Sequence, residues 1–375
     1  SKRVCRMLPL NKKTKTRVRQ LPDWLQLHAD LILGLLLCAA LSVAAIGLGR
    51  VSWLQDHGLS ALTLAIWLGF IVGNTVFAKI TPLCWPGVVY AKQYLLRLGI
   101  ILYGFRLTFQ DMGYVGLAGV IIDALVLTTT FSLAVVLGIR LFKLERGTAM
   151  LIGIGSSICG AAAIMAAQPV LKARAEQVTV AVATVVVFGT LAIFVYPLLY
   201  SLNQEWQLLA TSDFAYGLFV GSTIHEVAQV VAAADAISPV AADTAVIAKM
   251  VRVMLLAPFL IALAVYLARD TQVQTIRQDK KAGLFTGVSV PWFAFIFVVV
   301  AGFNSLQLLP EMAIARIAEV DTALLAMAMA GLGLTTDIKA IFRAGVKPLL
   351  LAGLLFAWLI VGGGALNYAV TAVFA

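Results

Sequence analysis

The sequence predicts an all-α polytopic membrane protein of about nine to eleven transmembrane helices, built as an inverted repeat around two interrupted or re-entrant segments. Three observations carry this expectation. Of 375 residues, 61% are hydrophobic and 12% charged; soluble chains carry about twice that charged share. Polar groups therefore cannot cover the surface, and lipid must be the solvent. Next, eleven apolar segments follow one another with short joints, roughly 30–49, 59–78, 94–110, 113–139, 147–171, 177–200, 213–236, 244–268, 288–309, 318–335 and 347–372. Most approach the ~20 residues with which a helix crosses a bilayer core. Finally, runs such as VTVAVATVVVFGTLAIF (178–194) do not alternate as the strands of a membrane β-barrel would. A nucleic-acid reader, a secreted disulfide scaffold and a disordered chain are excluded, and membrane lipid becomes an expected partner.

The first element is a basic tail. The formal net charge is +10, yet eight cations (Lys2, Arg3, Arg6, Lys12, Lys13, Lys15, Arg17, Arg19) fall in residues 1–19 with no acid among them. The remainder of the chain is nearly neutral. Positive charge on short segments stays cytoplasmic, so residues 1–29 read as a cytoplasmic N-terminal tail and 30–375 as a single transmembrane transporter domain. The run Leu31–Gly49 is too long for a signal-peptide core and reads as the first span. Alternating from there, Lys79/Lys92/Arg97, Arg140/Lys143/Arg146, Arg269/Arg277/Lys280/Lys281 and Lys339/Arg343/Lys347 also fall inside.

Alternation falters at two segments. A full crossing by 147–171 places Lys172 and Arg174 outside and the cation-free joint 201–213 inside. If 147–171 and 213–236 each enter and leave on one side, from opposite faces, 23 of the 28 cations lie inside. Crossed, unwound spans remain the alternative. Both segments carry a helix-breaking pattern: Gly153-Ile-Gly155-Ser156-Ser157-Ile158-Cys159-Gly160 and Gly221-Ser222-Thr223-Ile224-His225-Glu226. Glycine permits a turn, hydroxyls satisfy freed backbone groups, and the helix restarting after the break aims its N–H groups at mid-membrane, where they can hold an anion. Close helix packing through small residues is the plainer reading of either motif alone.

Ionisable groups at membrane depth are functional candidates by default. His225 and Glu226 follow the second break and form a candidate proton- or sodium-coupling pair, with Gln229 one turn on; a helix cap is the simpler role. Lys249 and Arg252, three apart on one helix face, offer either fixed positive charge for an anion or interfacial snorkelling. Arg106 and Asp123 could pair across neighbouring spans. Substrate-binding candidates are thus Gly155, Ser156, Ser157, Cys159, Gly221, Ser222, Thr223, Lys249 and Arg252. H-E-x-x-Q at 225–229 lacks the second histidine of a zinc protease, and the four cysteines form no C-x-x-C pair, so no metal site is expected. Without a phosphate-binding G-x-x-x-x-G-K-[ST] motif, no ATP motor or other cofactor is implied.

The stretches AKQYLLRLGIILYGFRLTF (91–109), LIGIGSSICGAAAIMAAQPV (151–170), QVTVAVATVVV (177–187), GSTIHEVAQVVAAADAISP (221–239), KMVRVMLLAPFL (249–260) and KPLLLAGLLFAWLIVGGGALNY (347–368) resemble the bacterial YeiH family. The resemblance runs from about residue 55 onward and leaves out the basic tail. It implies an inner-membrane protein within the cation–proton antiporter and anion transporter superfamily, with about ten helices in inverted repeats and two interrupted central helices. The family's sulfate-exporter label is itself an inference.

Together these readings predict a secondary transporter of a small anion, sulfate or a related sulfur oxyanion being the leading cargo, and no enzyme activity. At about 100 mV, inside negative, a departing dianion gains roughly 4.6 kcal/mol, which favours export; proton or sodium coupling and a homodimer are open expectations. A passive channel, or an intramembrane enzyme using Cys159 or His225/Glu226, are the rivals.

Overall fold

The computed structural model describes residues 23–51, 60–206, 212–271, 292–336 and 345–374. The basic residues 1–19 and the clusters Arg277/Lys280/Lys281 and Lys339/Arg343 lie outside them. All regular structure among the described residues is helical, as an apolar medium that offers the backbone no partners requires. In chain order the helices are α1 (Asp23–Leu48), α2 (Ala61–Thr75), α3 (Phe77–Tyr90), α4 (Leu96–Tyr103), α5 (Phe109–Val136), α6 (Arg146–Ser157), α7 (Ala161–Leu171), α8 (Ala175–Trp206), α9 (Asp213–Thr223), α10 (Val227–Asp235), α11 (Pro239–Met254), α12 (Leu256–Thr271), α13 (Trp292–Ser305), α14 (Glu311–Thr335) and α15 (Val346–Phe374). Among the described residues six helical stretches of 21–33 residues are long and apolar enough to cross a membrane.

Local sequence explains the boundaries. Ser60 accepts from Thr63 N–H at 3.3 Å and starts α2, while Thr108 and Asp111 form a capping box that starts α5. Ser238 caps α11, with Pro239 in its first turn. One predicted span needs correction. The segment read as 94–110 is the second half of a longer rod: α3 passes through a π-turn (Ala91–Leu95) into α4 and ends in a 3₁₀ turn at Gly104–Arg106. Pro82 and Pro86, which fall between the predicted segments 59–78 and 94–110, lie within α3. Helix α1 likewise begins at Asp23, inside the stretch read as tail.

The helices pack as two groups. In one, α1, α2, α3, α4 and α14 lie together, and α2 and α14 meet backbone to backbone: a Cβ on Gly69 would strike Ala330 O, and one on Gly333 would strike Ile66 O. In the other, α5, α8, α11 and α15 surround the two broken segments, α6–α7 and α9–α10.

Both broken segments are hairpins. Glu145, just before α6, accepts from Arg174 Nη2 at 2.5 Å and Gln177 Nε2 at 2.6 Å, so the segment starts and finishes at the same end of the bundle. Helix α6 runs parallel to the beginning of α8: Gly147 lies against Gln177 and Gly155 against Val185. The second segment starts at the other end, where Tyr200 O–H donates to Asp213 at 2.6 Å. Helix α9 runs parallel to α11, with Gly217 against Ala241 and Gly221 against Ala245, and α10 returns to that end, where Thr63 O–H donates to Ala232 O. The hairpins therefore approach one another from opposite ends. Lys172 and Arg174 join Arg140, Lys143 and Arg146 at the end where the first hairpin opens.

Candidate functional site

The tips of the two hairpins meet at the centre of the bundle. In the first, α6 stops at Ser157 and the chain reverses through Gly160, whose φ of 69° and ψ of −137° suit only glycine. A Cβ there would also collide with the Glu226 side chain. In the second, α9 stops at Thr223, Ile224 is extended, and Glu226 forms the N-cap of α10. Gln229 completes the cap, its Oε1 accepting from Glu226 N–H at 3.0 Å. The Glu226 carboxylate also accepts from Ala161 N–H, the first residue of α7, at 3.3 Å. One carboxylate thus stands at the positive ends of both returning limbs.

The entering limbs end in carbonyls, and two buried cations meet them. Lys249 Nζ donates to Ile158 O at 2.8 Å and Ile224 O at 2.6 Å. Arg252 Nε donates to Ser157 O at 2.7 Å, Nη2 to Ser156 O at 3.3 Å, and Nη1 to Ser222 O. Both residues are fully buried. The snorkelling alternative is thereby overturned: these side chains cap the negative ends of α6 and α9, taking five carbonyls across two hairpins at once. An unpaired charge at this depth would be unaffordable to fold, and each of these two has several acceptors.

Several polar atoms here have no partner. They are both carboxyl oxygens of Asp123, both ring nitrogens of His225, Gln229 Nε2, Ser156 Oγ and Thr130 Oγ1, all buried. The His225 ring lies 6.5 Å from that of Phe356. Ser222 Oγ accepts from Asn367 Nδ2 at 2.9 Å, and Thr223 O–H donates to Phe219 O within its own helix. Cys159 is a free, buried thiol between the tips. Gly155 lies against Ile164 and Val185, and Gly221 against Ala245 and Ala248, so both occupy helix-packing positions.

The structure therefore assembles Asp123, Ser156, Ser157, Cys159, Ser222, His225, Glu226, Gln229, Lys249 and Arg252 around one junction. Arg106 is elsewhere, and its expected pairing with Asp123 is corrected. Its Nη2 contacts Asp321 at 2.7 Å and donates to Ala318 O and the Thr322 hydroxyl at 2.9 and 2.8 Å. The reason is packing: α4 lies against α14, which carries Asp321, whereas α5, which carries Asp123, lies against α6 and α9. Arg106 also sits 4.8 Å over the Tyr103 ring, whose hydroxyl donates to Asp243 at 2.8 Å. Arg106 and Asp243 border a cavity of about 510 Å³ that Asp111 and Thr244 also line. Sequence reasoning missed Asp321 and Asp243; an acid at the start of an apolar span was the signal. Among the described residues no cluster of three or more His, Cys, Asp or Glu could hold a metal ion.

Two opposed helical hairpins meeting through charged caps, inside a shell of apolar helices, define an all-α polytopic membrane protein with a polar core between the hairpin tips. The chain matches the family described as conserved hypothetical protein 698 over residues 33–352, and it belongs to that family, the YeiH or UPF0324 family. It is 61% identical over 337 residues to the UPF0324 membrane protein PA5383 of Pseudomonas aeruginosa, covering 90% of this chain and 94% of that one. It is 55% identical over 342 residues to the UPF0324 inner membrane protein YeiH of Escherichia coli K12, covering 91% and 95%. A YeiH protein of Salmonella typhi is also 55% identical, covering 89% and 93%. No solved structure matches.

Proposed function

We propose that this protein is a secondary transporter that moves a small anion across a bacterial inner membrane, with the junction of the two hairpins as its substrate site. The observation that carries the reading is the junction itself: two half-helix N-termini share one carboxylate, Glu226, beside two fixed cations, Lys249 and Arg252. A substrate oxyanion takes the place of the Glu226 carboxylate at those N–H groups. Hairpins opening to opposite ends supply two routes to one site, the requirement of alternating access, and an inverted repeat is the symmetry that fits them. The relatives named inner membrane proteins support the membrane assigned. The basic residues at the opening of the first hairpin support a cytoplasmic position for that end and for the N-terminus.

Sulfate or a related sulfur oxyanion is the cargo we assign, with export as the direction favoured by membrane potential. The test is uptake and efflux of radiolabelled sulfate, sulfite and thiosulfate in proteoliposomes. Saturable flux that Arg252→Lys impairs supports the reading. Absence of flux for every small anion tried overturns it, and currents far above carrier rates assign a channel instead. Sidedness is checked by cysteines placed at Lys172 and Ile237, which must label from opposite faces.

A further inference from the structure

We propose that Asp123 holds an exchangeable proton that sets the net charge of the junction, so that a proton and a small anion bind there together. The coupling half of this proposal rests on the transport reading above; the proton site does not.

Asp123 lies on α5, which packs against α6, α9, α11, α13 and α15, and it is fully buried. Its two oxygens have no hydrogen-bond partner, whereas Lys249, Arg252 and Glu226 each have at least one. The charged groups near enough to act on it are Arg252 and Lys249 of α11. Both spend their N–H groups on the carbonyls of the hairpin tips, and among the described residues neither forms an ion pair with Asp123. No other packed element brings a charge to it. Helix α13 has no titratable residue; α6 has only Arg146 at its start; α15 has Lys347 and Tyr368 near its ends. On α9, Asp213 pairs with Tyr200 and Tyr216 donates to Tyr196 O. His225, beyond α9, turns its ring towards Phe356.

An ionised carboxyl group without a protein donor is among the costliest groups to bury, and a proton removes that cost. With Asp123 protonated, the junction holds Lys249 and Arg252 against the single carboxylate of Glu226, leaving one net positive charge. With Asp123 ionised the junction is neutral. An arriving anion is therefore favoured when the proton is present, and by reciprocity the anion strengthens proton binding. The proton comes from water on one side, forms an O–H bond at an Asp123 oxygen, and returns to water when the anion leaves.

The experiment has two arms. Infrared difference spectra of the full chain in nanodiscs, between acidic and basic buffer, read the C=O band of a protonated carboxyl group. The wild type must show a band that Asp123→Asn lacks; a band that persists overturns the proton site. If Asp123→Asn fails to fold, Asp123→Glu must displace the band, and an unmoved band overturns the proposal. In proteoliposomes, acid must stimulate sulfate flux by roughly tenfold in the wild type, and Asp123→Asn must carry flux that no longer varies with pH. A variant that keeps the wild-type pH profile overturns the coupling. An Asp123-dependent band with no anion flux in the wild type sinks the transport reading while leaving the proton site standing.

Discussion

The two hairpins begin from nearly the same residues and finish as different parts. Each breaks after Gly, Ser and Ser or Thr, then Ile, and each sends a limb of 11 or 12 residues in, about 16–18 Å at the helical rise. The first then turns through Gly160, which has no side chain to cap α7. The second turns through Glu226, which caps α10 and serves α7 as well. The first hairpin is thus a receiver of caps and the second a donor. Helix α11 completes the asymmetry by bringing Lys249 and Arg252 to the carbonyl ends of both. Similar local sequence makes a break; what satisfies the break comes from elsewhere in the chain.

This contrast is open to attack at four points. The largest effect is expected from Arg252→Met, which orphans carbonyls on both hairpins. With about 1–3 kcal/mol for each unsatisfied buried group, the loss exceeds roughly 3 kcal/mol, seen as a collapsed melting temperature or a lost monodisperse peak in detergent. A variant that melts like the wild type removes the capping role. Gly160→Ala comes next. It forces a side chain into left-handed backbone at about 1–3 kcal/mol and pushes on Glu226, so it should loosen both hairpins, whereas an alanine at Glu226 spares the turn. Hydrogen exchange resolved to 158–163 and 224–230 distinguishes them. Third, Glu226→Gln keeps an acceptor oxygen and should melt within about 1 kcal/mol of the wild type, while Glu226→Ala should cost about 1 kcal/mol more. Equal losses would show that the charge, not the acceptor, holds the tips.

The smallest effect concerns the foot of the first hairpin. Hydrogen bonds from Arg174 and then Gln177 hold the exposed Glu145 carboxyl below the usual glutamate range. Its contribution is therefore present above the ordinary glutamate pKa and is lost as pH falls through the depressed value. Exchange at 172–176 should rise on acidification in the wild type but start high and stay there in Glu145→Gln. Identical profiles would mean that the clasp does nothing.

How much was legible beforehand follows from which interactions are local. Apolar runs marked the spans, because bilayer thickness acts on each segment separately. The breaks were visible for the same reason: Gly153 to Gly160 and Gly221 to Glu226 carry their own turn chemistry. Cations in the joints favoured opposed hairpins over crossed, unwound spans, and Glu145 with Arg174 shows the first closing on itself. Partner choice was not legible. Arg106 was read as able to pair with Asp123, 17 positions away, yet its partner is Asp321 on α14. The helix content of 77–93 was also hidden: residues 79–93 fall between two predicted segments, yet α3 there packs on α1.

The reach of Lys249 and Arg252 has a consequence for how the protein is made. Ile158 O and Ser157 O find their donors 91 and 95 positions later in the chain. At ribosomal rates of about 5–20 residues per second, that interval lasts roughly 5–20 s. Throughout it, the first hairpin has emerged and must wait with bare carbonyls, either held in the insertion machinery or sheltered by water, until α11 follows. Biogenesis of this fold is therefore ordered: the first hairpin is made well before α11, which completes both hairpins together.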